Sequence, residues 1–256
     1  RTPELLITIL ATWRIGAIYQ PLFTAFESKA IEHRIETAGT RLIVTNSEQR
    51  TKLNEIENTE ILTIHAQGKV SKDADFWTEI AKYSSHFSAE MLSFEDDFLM
   101  MFTSGTTGLA KSVPVPLKAV LAFKEYMRHA VDLREEDSFW NLADPGWAYG
   151  LYYGIAGPLA LGHSIIMDER AFSVDNAVQV IKKYKVSNLT GSPTAFRMFF
   201  GFKEQFDQAI QSHLRVVSSA GEPLTPEVIH WFKHDLEVNI YDQYGQTELG
   251  MVIGNH

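Results

Sequence analysis

Short apolar runs of strand character alternate with amphipathic helical stretches along the whole chain, and this alternation restricts the fold more than any other feature. Near the start, Pro3 stands where a first-turn proline is tolerated, Leu5, Leu6, Ile9, Leu10 and Trp13 recur at helical spacing, and Gly16 ends the run. Residues 17–22 read as a strand, residues 28–38 as a helix stopped by Gly39, and residues 41–45, centred on Leu42, Ile43 and Val44, as a buried strand. The rhythm continues with a strand over 60–65, a helix over 75–83, a strongly apolar strand over 97–103 and a helix over 117–131. A strand over 139–143, a helix after Trp147 and a strand over 164–167 follow. The last third alternates helices over 174–184, 194–202 and 226–232 with strands over 186–190, 214–218 and 238–241. Such alternation predicts an α/β protein whose mainly parallel sheets are covered by helices, with ligands gathering where strands end. The acidic run Glu135, Glu136, Asp137 is the candidate connection between two lobes, residues 1–134 and 135–256, although a solvated loop within one domain suits it too.

Composition narrows the function classes. With 45% hydrophobic and 21% charged residues the chain has enough apolar content for a packed core and lacks the profile of a disordered protein. The net charge is −9, which argues against a general nucleic-acid binder, because neutralising phosphates needs a basic footprint. Small anions need only a local cradle. Zero cysteines remove disulfides, thiolate metal sites and a cysteine nucleophile, so any thiol chemistry must use another molecule's sulfur. The most apolar stretches, 98–102 and 154–167, fall short of the about 20 uninterrupted apolar residues that a membrane helix needs. A cytoplasmic protein is expected, and an opening Arg1 without a signal pattern fits a piece of a longer one. The nine histidines are scattered without ligand spacing, so no zinc site is expected.

Three segments carry chemistry. Directly after the apolar strand come Thr103, Ser104, Gly105, Thr106, Thr107, Gly108, Leu109, Ala110 and Lys111: glycines for close backbone approach, four hydroxyls, and a terminal point charge. These are the parts of an anion cradle, and the same composition also suits an ordinary Ser/Thr/Gly turn. It is not a Walker A loop, since Gly108 and Lys111 are not adjacent, and Val113, Pro114, Val115 and Pro116 cannot open a helix. Near the end, Tyr241, Asp242, Gln243, Tyr244, Gly245, Gln246, Thr247 and Glu248 follow a strand; a threonine hydroxyl beside a carboxylate suits a phosphate and a hard cation, or simply a polar turn. Between them, Ser218, Ser219, Ala220, Gly221, Glu222, Pro223 and Leu224 form a small-residue turn with room for a flat ring, or a plain strand-to-helix loop capped by Thr225.

Taken together, the three resemble the adenylate-forming superfamily, in its acyl-CoA synthetase branch. Thr103 to Lys111 is similar to the family's phosphate loop, Ala220 to Leu224 to its adenine-contacting turn, and Tyr244 to Glu248 to its nucleotide and Mg²⁺ motif, in the family's order. The likeness covers essentially the whole chain, with one departure at Ala110, where the family usually has proline. It implies two mainly parallel sheets flanked by helices, as in the large N-terminal domain of that family, without the ribose-binding aspartate, hinge and small lysine-bearing lid that lie further along. It also implies ATP, Mg²⁺ and coenzyme A. Thr103, Ser104, Gly105, Thr106, Thr107, Gly108 and Lys111 would face the β- and γ-phosphates. Thr247 would meet the α-phosphate, Glu248 the metal, and Gly221, Glu222, Pro223, Asp242, Gln243, Tyr244, Gly245 and Gln246 the nucleotide.

The segment Asp144, Pro145, Gly146, Trp147, Ala148, Tyr149, Gly150 resembles the acyl-pocket lining of acetyl-CoA and medium-chain acyl-CoA synthetases, although Trp147 equally suits a core aromatic. Where amino-acid-activating relatives place an aspartate, this chain has Trp147, Ala148 and Tyr149, which favours an acid without an amino group. Acetyl-CoA synthetases carry a tryptophan plug at the position of Gly245, so glycine here implies a larger pocket and a short- to medium-chain or aryl carboxylate. The expected reaction forms acyl-AMP from acid and ATP, then acyl-CoA. Alternatives are loading of a carrier protein's phosphopantetheine arm, or nucleotide binding alone by a chain inactive without its lid.

Overall fold

The computed structural model describes residues 1–65, 73–103, 109–205 and 213–255, and the elements below are those of these residues. They fall into two compact units, Pro3–Leu117 and Lys118–His256 with Arg1–Thr2.

In the first unit, helix α1 (Pro3–Arg14) carries Glu4 in its first turn and Arg14 in its last, each matched to the helix dipole. Helix α2 (Ser28–Ala38) stops at Gly39, whose left-handed φ of 62° lets its N–H reach back to Glu36. The apolar stripe of α2, Ile31 and Ile35, packs with Ile43 and Leu53 in a small core. Strand β1 (Leu42–Asn46) pairs in parallel with β2 (Glu60–Ile64), and β2 with the short β3 (Ala74–Asp75). The Asp75 carboxylate accepts from the Thr78 N–H and starts α3 (Phe76–Ile80), a helix shorter than predicted. Strand β4 (Asp97–Thr103) turns back through β5 (Lys111–Pro116) as an antiparallel ribbon, with Thr103 opposite Lys111. The predicted strand over 17–22 does not form. Only Tyr19 bridges Leu99, and Pro21, which has no N–H to donate, interrupts any ladder there.

The second unit is built on a five-stranded sheet. Helix α4 (Ala119–His129) buries Phe123, Tyr126 and Met127, and β6 (Phe139–Asn141) leads into α5 (Ala148–Leu151), a π turn (Tyr152–Ala156) and α6 (Gly157–Ala160). Then come α7 (Val174–Tyr184), β7 (Asn188–Gly191), α8 (Pro193–Gly201) and β8 (Val216–Ala220). Helix α9 (Pro226–His234), β9 (Asn239–Gln246) and β10 (Gly250–Gly254) complete the unit. Strand order is β10-β9-β8-β7-β6, with β6 to β9 parallel and β10 antiparallel to β9. Ser173 and Ser192 cap α7 and α8 by accepting from the Asn176 and Ala195 N–H groups. Trp140, Leu189, Val217 and Ile240 of the strands pack with Phe196, Phe199, Trp231 and Phe232 of the helices in one large core.

Three expectations are corrected here. Residues 164–167 form no strand: Ile166 donates to Phe139 O (3.3 Å), and three-residue β6 is too short to template a ladder on that edge. Strand β9 does not stop at Tyr241 but runs to Gln246, because β10 returns and pairs with it. The division between units lies at Leu117/Lys118 instead of after Arg134. Helix α4 packs with α6 and β10, so it belongs to the second unit, and the acidic run beyond it is no free linker. Asp137, with its side chain only 1% exposed, accepts from Arg215 (2.5 Å) and Ser187 (2.7 Å), and Arg215 also reaches Asp132 (2.5 Å). No helix among the described residues is long and apolar enough to cross a membrane.

Candidate active site

All four parallel strands of the second unit deliver their carboxyl ends to one cavity of about 740 Å³. Ala143 and Asp144 arrive after β6, Ser192 and Thr194 after β7, Gly221 and Glu222 after β8, and Gln246 and Thr247 at the end of β9. Trp147, Tyr149, Tyr152, Tyr153 and Phe172 form an aromatic wall of the same cavity, which Met198 and Met251 also line.

The wall depends on a close backbone approach. A Cβ on Gly150 would lie 2.2 Å from Asp144 O, so only glycine lets α5 close on the turn after β6. That turn is itself tied down: Asp144 accepts from the Gly146 N–H (2.7 Å), and Asn141 accepts from the Ala143 N–H (2.8 Å) while donating to Tyr149 O (3.3 Å). The π turn then presents consecutive tyrosines to one side. Phe123 stacks on Tyr152 at 4.6 Å, and Tyr153 lies 4.3 Å from Tyr126 and 5.8 Å from Tyr149 between ring centroids. Burial pushes the Tyr149 and Tyr152 hydroxyls well above the ordinary phenol range and Tyr153 up to about 12, so all three are neutral near pH 7.

On the polar side, Gly221 has φ +105°, a conformation that admits glycine and turns the chain out of β8. The Glu222 carboxylate accepts from Thr194 (2.8 Å) and Arg197 (2.5 Å), and these hydrogen bonds hold its pKa below the usual carboxylate range. Pro223 is exposed and precedes the start of α9. Asp242 accepts from the Leu224 N–H (3.4 Å) through one oxygen, while its other oxygen is buried without a hydrogen-bond partner among the described residues. Tyr244 is exposed and accepts from Gln246 (2.7 Å). Tyr152 donates to Thr247 O (3.2 Å), and Glu248 is exposed in the turn between β9 and β10.

Two expectations do not fit this packing. Gln243 is 5% exposed, and its amide accepts from Tyr126 and donates to Ala130 O (2.8 Å), so its side chain ties the core together and is not presented to a nucleotide. Nor does Gly245 open free space. A Cβ there would lie 2.5 Å from Gly250 O and 2.6 Å from Met251 Sδ, so the volume beside the glycine is already filled by Met251. Sequence reasoning missed Met251, Tyr153, Thr194 and Arg197. Of these only Thr194 and Arg197 left a trace, as polar residues opening the helix after a buried strand.

In the first unit, Thr103 ends β4 and exposed Lys111 opens β5, while Ser104, Gly105, Thr106, Thr107 and Gly108 lie outside the described residues. His33 hydrogen-bonds Ala110 O (2.9 Å), anchoring the backbone where a proline would otherwise stiffen it. No three His, Asp or Glu side chains gather as a metal site among the described residues. Glu248 alone, as a single carboxylate, suits Mg²⁺ of the kind that completes its shell with phosphate oxygens and water.

The chain belongs to the AMP-binding enzyme family, whose pattern it matches from residue 1 to residue 256. Among its relatives is the acetyl-coenzyme A synthetase of Bacillus subtilis, 32% identical over 255 residues, covering 98% of this chain and 45% of that protein. Acetyl-coenzyme A synthetase 1 of Candida glabrata is 32% identical over 276 residues, covering 97% of this chain and 39% of that protein. The crystal structure of a Brucella canis acyl-CoA synthetase matches all of this chain and 47% of its own, with a TM-score of 0.93 and 52% identity. The anthranilate CoA ligase AuaEII, solved with anthranoyl-AMP, shares the fold at a TM-score of 0.90 and 22% identity, over 99% of this chain and 50% of its own. This chain therefore spans half or less of the length of these relatives.

Proposed function

We propose that the protein carrying this chain activates a carboxylic acid with ATP and passes the acyl group to the thiol of coenzyme A. The observation that carries this reading is the cavity at the strand ends, lined both by small and polar turns and by a group of aromatic side chains. Such a site suits a molecule with a polar nucleotide half and an apolar acyl half. Family membership and the likeness to acyl-CoA synthetases support it.

In the first half-reaction a carboxylate oxygen attacks the α-phosphorus and pyrophosphate leaves; in the second the thiol attacks the acyl carbon and AMP leaves. Neither step needs a nucleophile from the protein, which suits a chain without cysteine. Its contribution is positioning and charge stabilisation. Thr103, Ser104, Thr106, Thr107 and Lys111 are assigned to the β- and γ-phosphates, Thr247 to the α-phosphate, and Glu248 to Mg²⁺, which would offset phosphate charge when bound. The turn Gly221–Pro223, Asp242 and Tyr244 are assigned to the adenosine. The apolar lining by Trp147, Tyr149, Tyr152 and Tyr153 suits an acid with apolar surface, and each further buried CH₂ contributes about 0.8 kcal/mol, which supports a short- to medium-chain or aryl acid.

The test is acid-dependent exchange between ATP and labelled pyrophosphate, followed by product analysis with coenzyme A. Exchange that requires a carboxylic acid larger than acetate, and acyl-CoA as product, is the expected result. Exchange without any acid, or none with a broad panel, overturns the reading.

A further inference from the structure

The expectation that no histidine pair has ligand spacing fails on α9, where His230 and His234 stand four residues apart. Residues at this spacing share one helix face, with about 5–6 Å between their Cβ atoms. The two rings keep that separation: they lie side by side with centroids 5.6 Å apart and planes inclined by only 15°. Both side chains are exposed. The other face of α9 is anchored, because Val228, Trp231 and Phe232 are buried in the large core. The core therefore fixes the backbone beneath the pair, while solvent leaves both rings free to turn about χ2.

We propose that His230 and His234 form a two-histidine binding site for a divalent cation of borderline softness, of the class of Zn²⁺, Ni²⁺ and Cu²⁺. Neutral imidazole suits these metals, and two histidines four apart on one helix face can share one ion. Metal–nitrogen bonds of about 2.1 Å need ring nitrogens within about 4 Å of each other, which rings this close reach by tilting together. The position also favours a cation. His234 is the last residue of α9, at the negative end of the helix dipole, and exposed Glu227 stands one turn before His230. The flanking Lys233 and Asp235 cancel in formal charge. No third His, Asp or Glu side chain completes the set among the described residues, so water takes the remaining coordination positions. Among the described residues none from α9 lines the cavity at the strand ends, and the metal site stands whether or not the protein activates acids.

The experiment titrates Zn²⁺ and Ni²⁺ into the protein by isothermal titration calorimetry, in buffer free of chelators, for the wild type, His230→Ala, His234→Ala and, as a control, His129→Ala on α4. A single equivalent per chain is expected for the wild type and for His129→Ala. In each α9 variant the affinity is expected to fall by about tenfold or more, because the second imidazole no longer acts at high effective concentration. Both α9 substitutions replace an exposed side chain with a strong helix former, so the variants keep the fold. Thermal melts give a second readout: the pairing exists only in the folded helix, so saturating metal raises the melting temperature of the wild type and leaves that of the α9 variants unchanged. A wild type that binds neither metal overturns the site. So does binding that survives in either α9 variant or disappears in His129→Ala.

Discussion

The two compact units use the same α/β vocabulary to different ends. In Pro3–Leu117 the strands β1 and β2 are each buried at a single position, and the core around Ile31, Ile35, Ile43 and Leu53 is small. In Lys118–His256, β7 and β8 are buried throughout and a large aromatic-rich core supports them. The second unit builds the cavity. Strands fixed on both faces hold the turns at their ends in place, so Gly221, Glu222 and Thr247 are presented on a rigid base. The first unit presents Lys111 at the end of a two-stranded ribbon, a position that asks little of the core beneath it.

Each unit also contains an arginine clamp on buried aspartate, and breaking these sharpens the comparison most. Arg215 holds both Asp132 and Asp137, whereas Arg50 holds Asp73, which also accepts from Thr63 (2.8 Å). Arg215→Met leaves Asp137 buried and deprived of its cation, and is expected to destabilise the second unit by about 4 kcal/mol. Arg50→Met is expected to cost less, because Arg50 serves one carboxylate whereas Arg215 serves two, while each aspartate keeps a hydroxyl donor, Thr63 or Ser187. Chemical denaturation with probes in each unit checks the ranking, and equal losses would contradict it.

Alanine at two glycines separates steric from conformational cost. At Gly150 the new Cβ meets the Asp144 carbonyl at 2.2 Å, so the turn after β6 must shift, at about 1–3 kcal/mol and with loss of the aromatic wall's shape. At Gly39 of the first unit nothing lies within 4 Å of the new Cβ, and only the left-handed conformation resists, at about 1 kcal/mol. Gly150→Ala is therefore expected to impair acid binding, and Gly39→Ala to lower stability alone, as calorimetry with acid and melting curves would show.

The pH response follows from the same clamps. Burial alone would raise the Asp137 pKa, but hydrogen bonds from Arg215 and Ser187 outweigh it and leave it below the ordinary carboxylate value; Asp73 is lowered by Arg50. A carboxylate lowered in the folded state stabilises the fold above its unfolded pKa and loses that contribution as pH falls through its folded pKa. Stability is expected to be flat near neutrality and to decline below about pH 4. In Asp137→Asn, less stable at neutral pH, that decline should be shallower, as melts across the acid range would reveal. Similar in size to Gly39→Ala, removing a cap by Ser173→Ala at α7 or Asp75→Ala at α3 is expected to cost about 1 kcal/mol in its own unit, read from denaturation midpoints.

Much of this was legible in the sequence where local signals and tertiary packing agree. The apolar centre of β1 and Gly39 ending α2 report their own structure. Residues 17–22 and 164–167 misled because apolar character was present without a neighbour able to continue the ladder: Pro21 removes a donor in one case and β6 is too short in the other. The site was legible as glycines, hydroxyls and acids at strand ends. Gln243 was misjudged because motif membership does not tell which face of a strand a side chain takes, and its face is the core. Met251 and Tyr153 were invisible, since their meaning comes from a bulged hairpin meeting a π turn.

The central claim is that the cavity of the second unit takes both halves of an acyl-adenylate. The most direct measurement is a crystal structure of the protein with a non-hydrolysable acyl-sulfamoyl adenosine. The account predicts the adenine at the Gly221–Pro223 turn and the acyl group against Trp147, Tyr153 and Met251. An analogue bound outside this cavity, or one that does not bind at all, would contradict it.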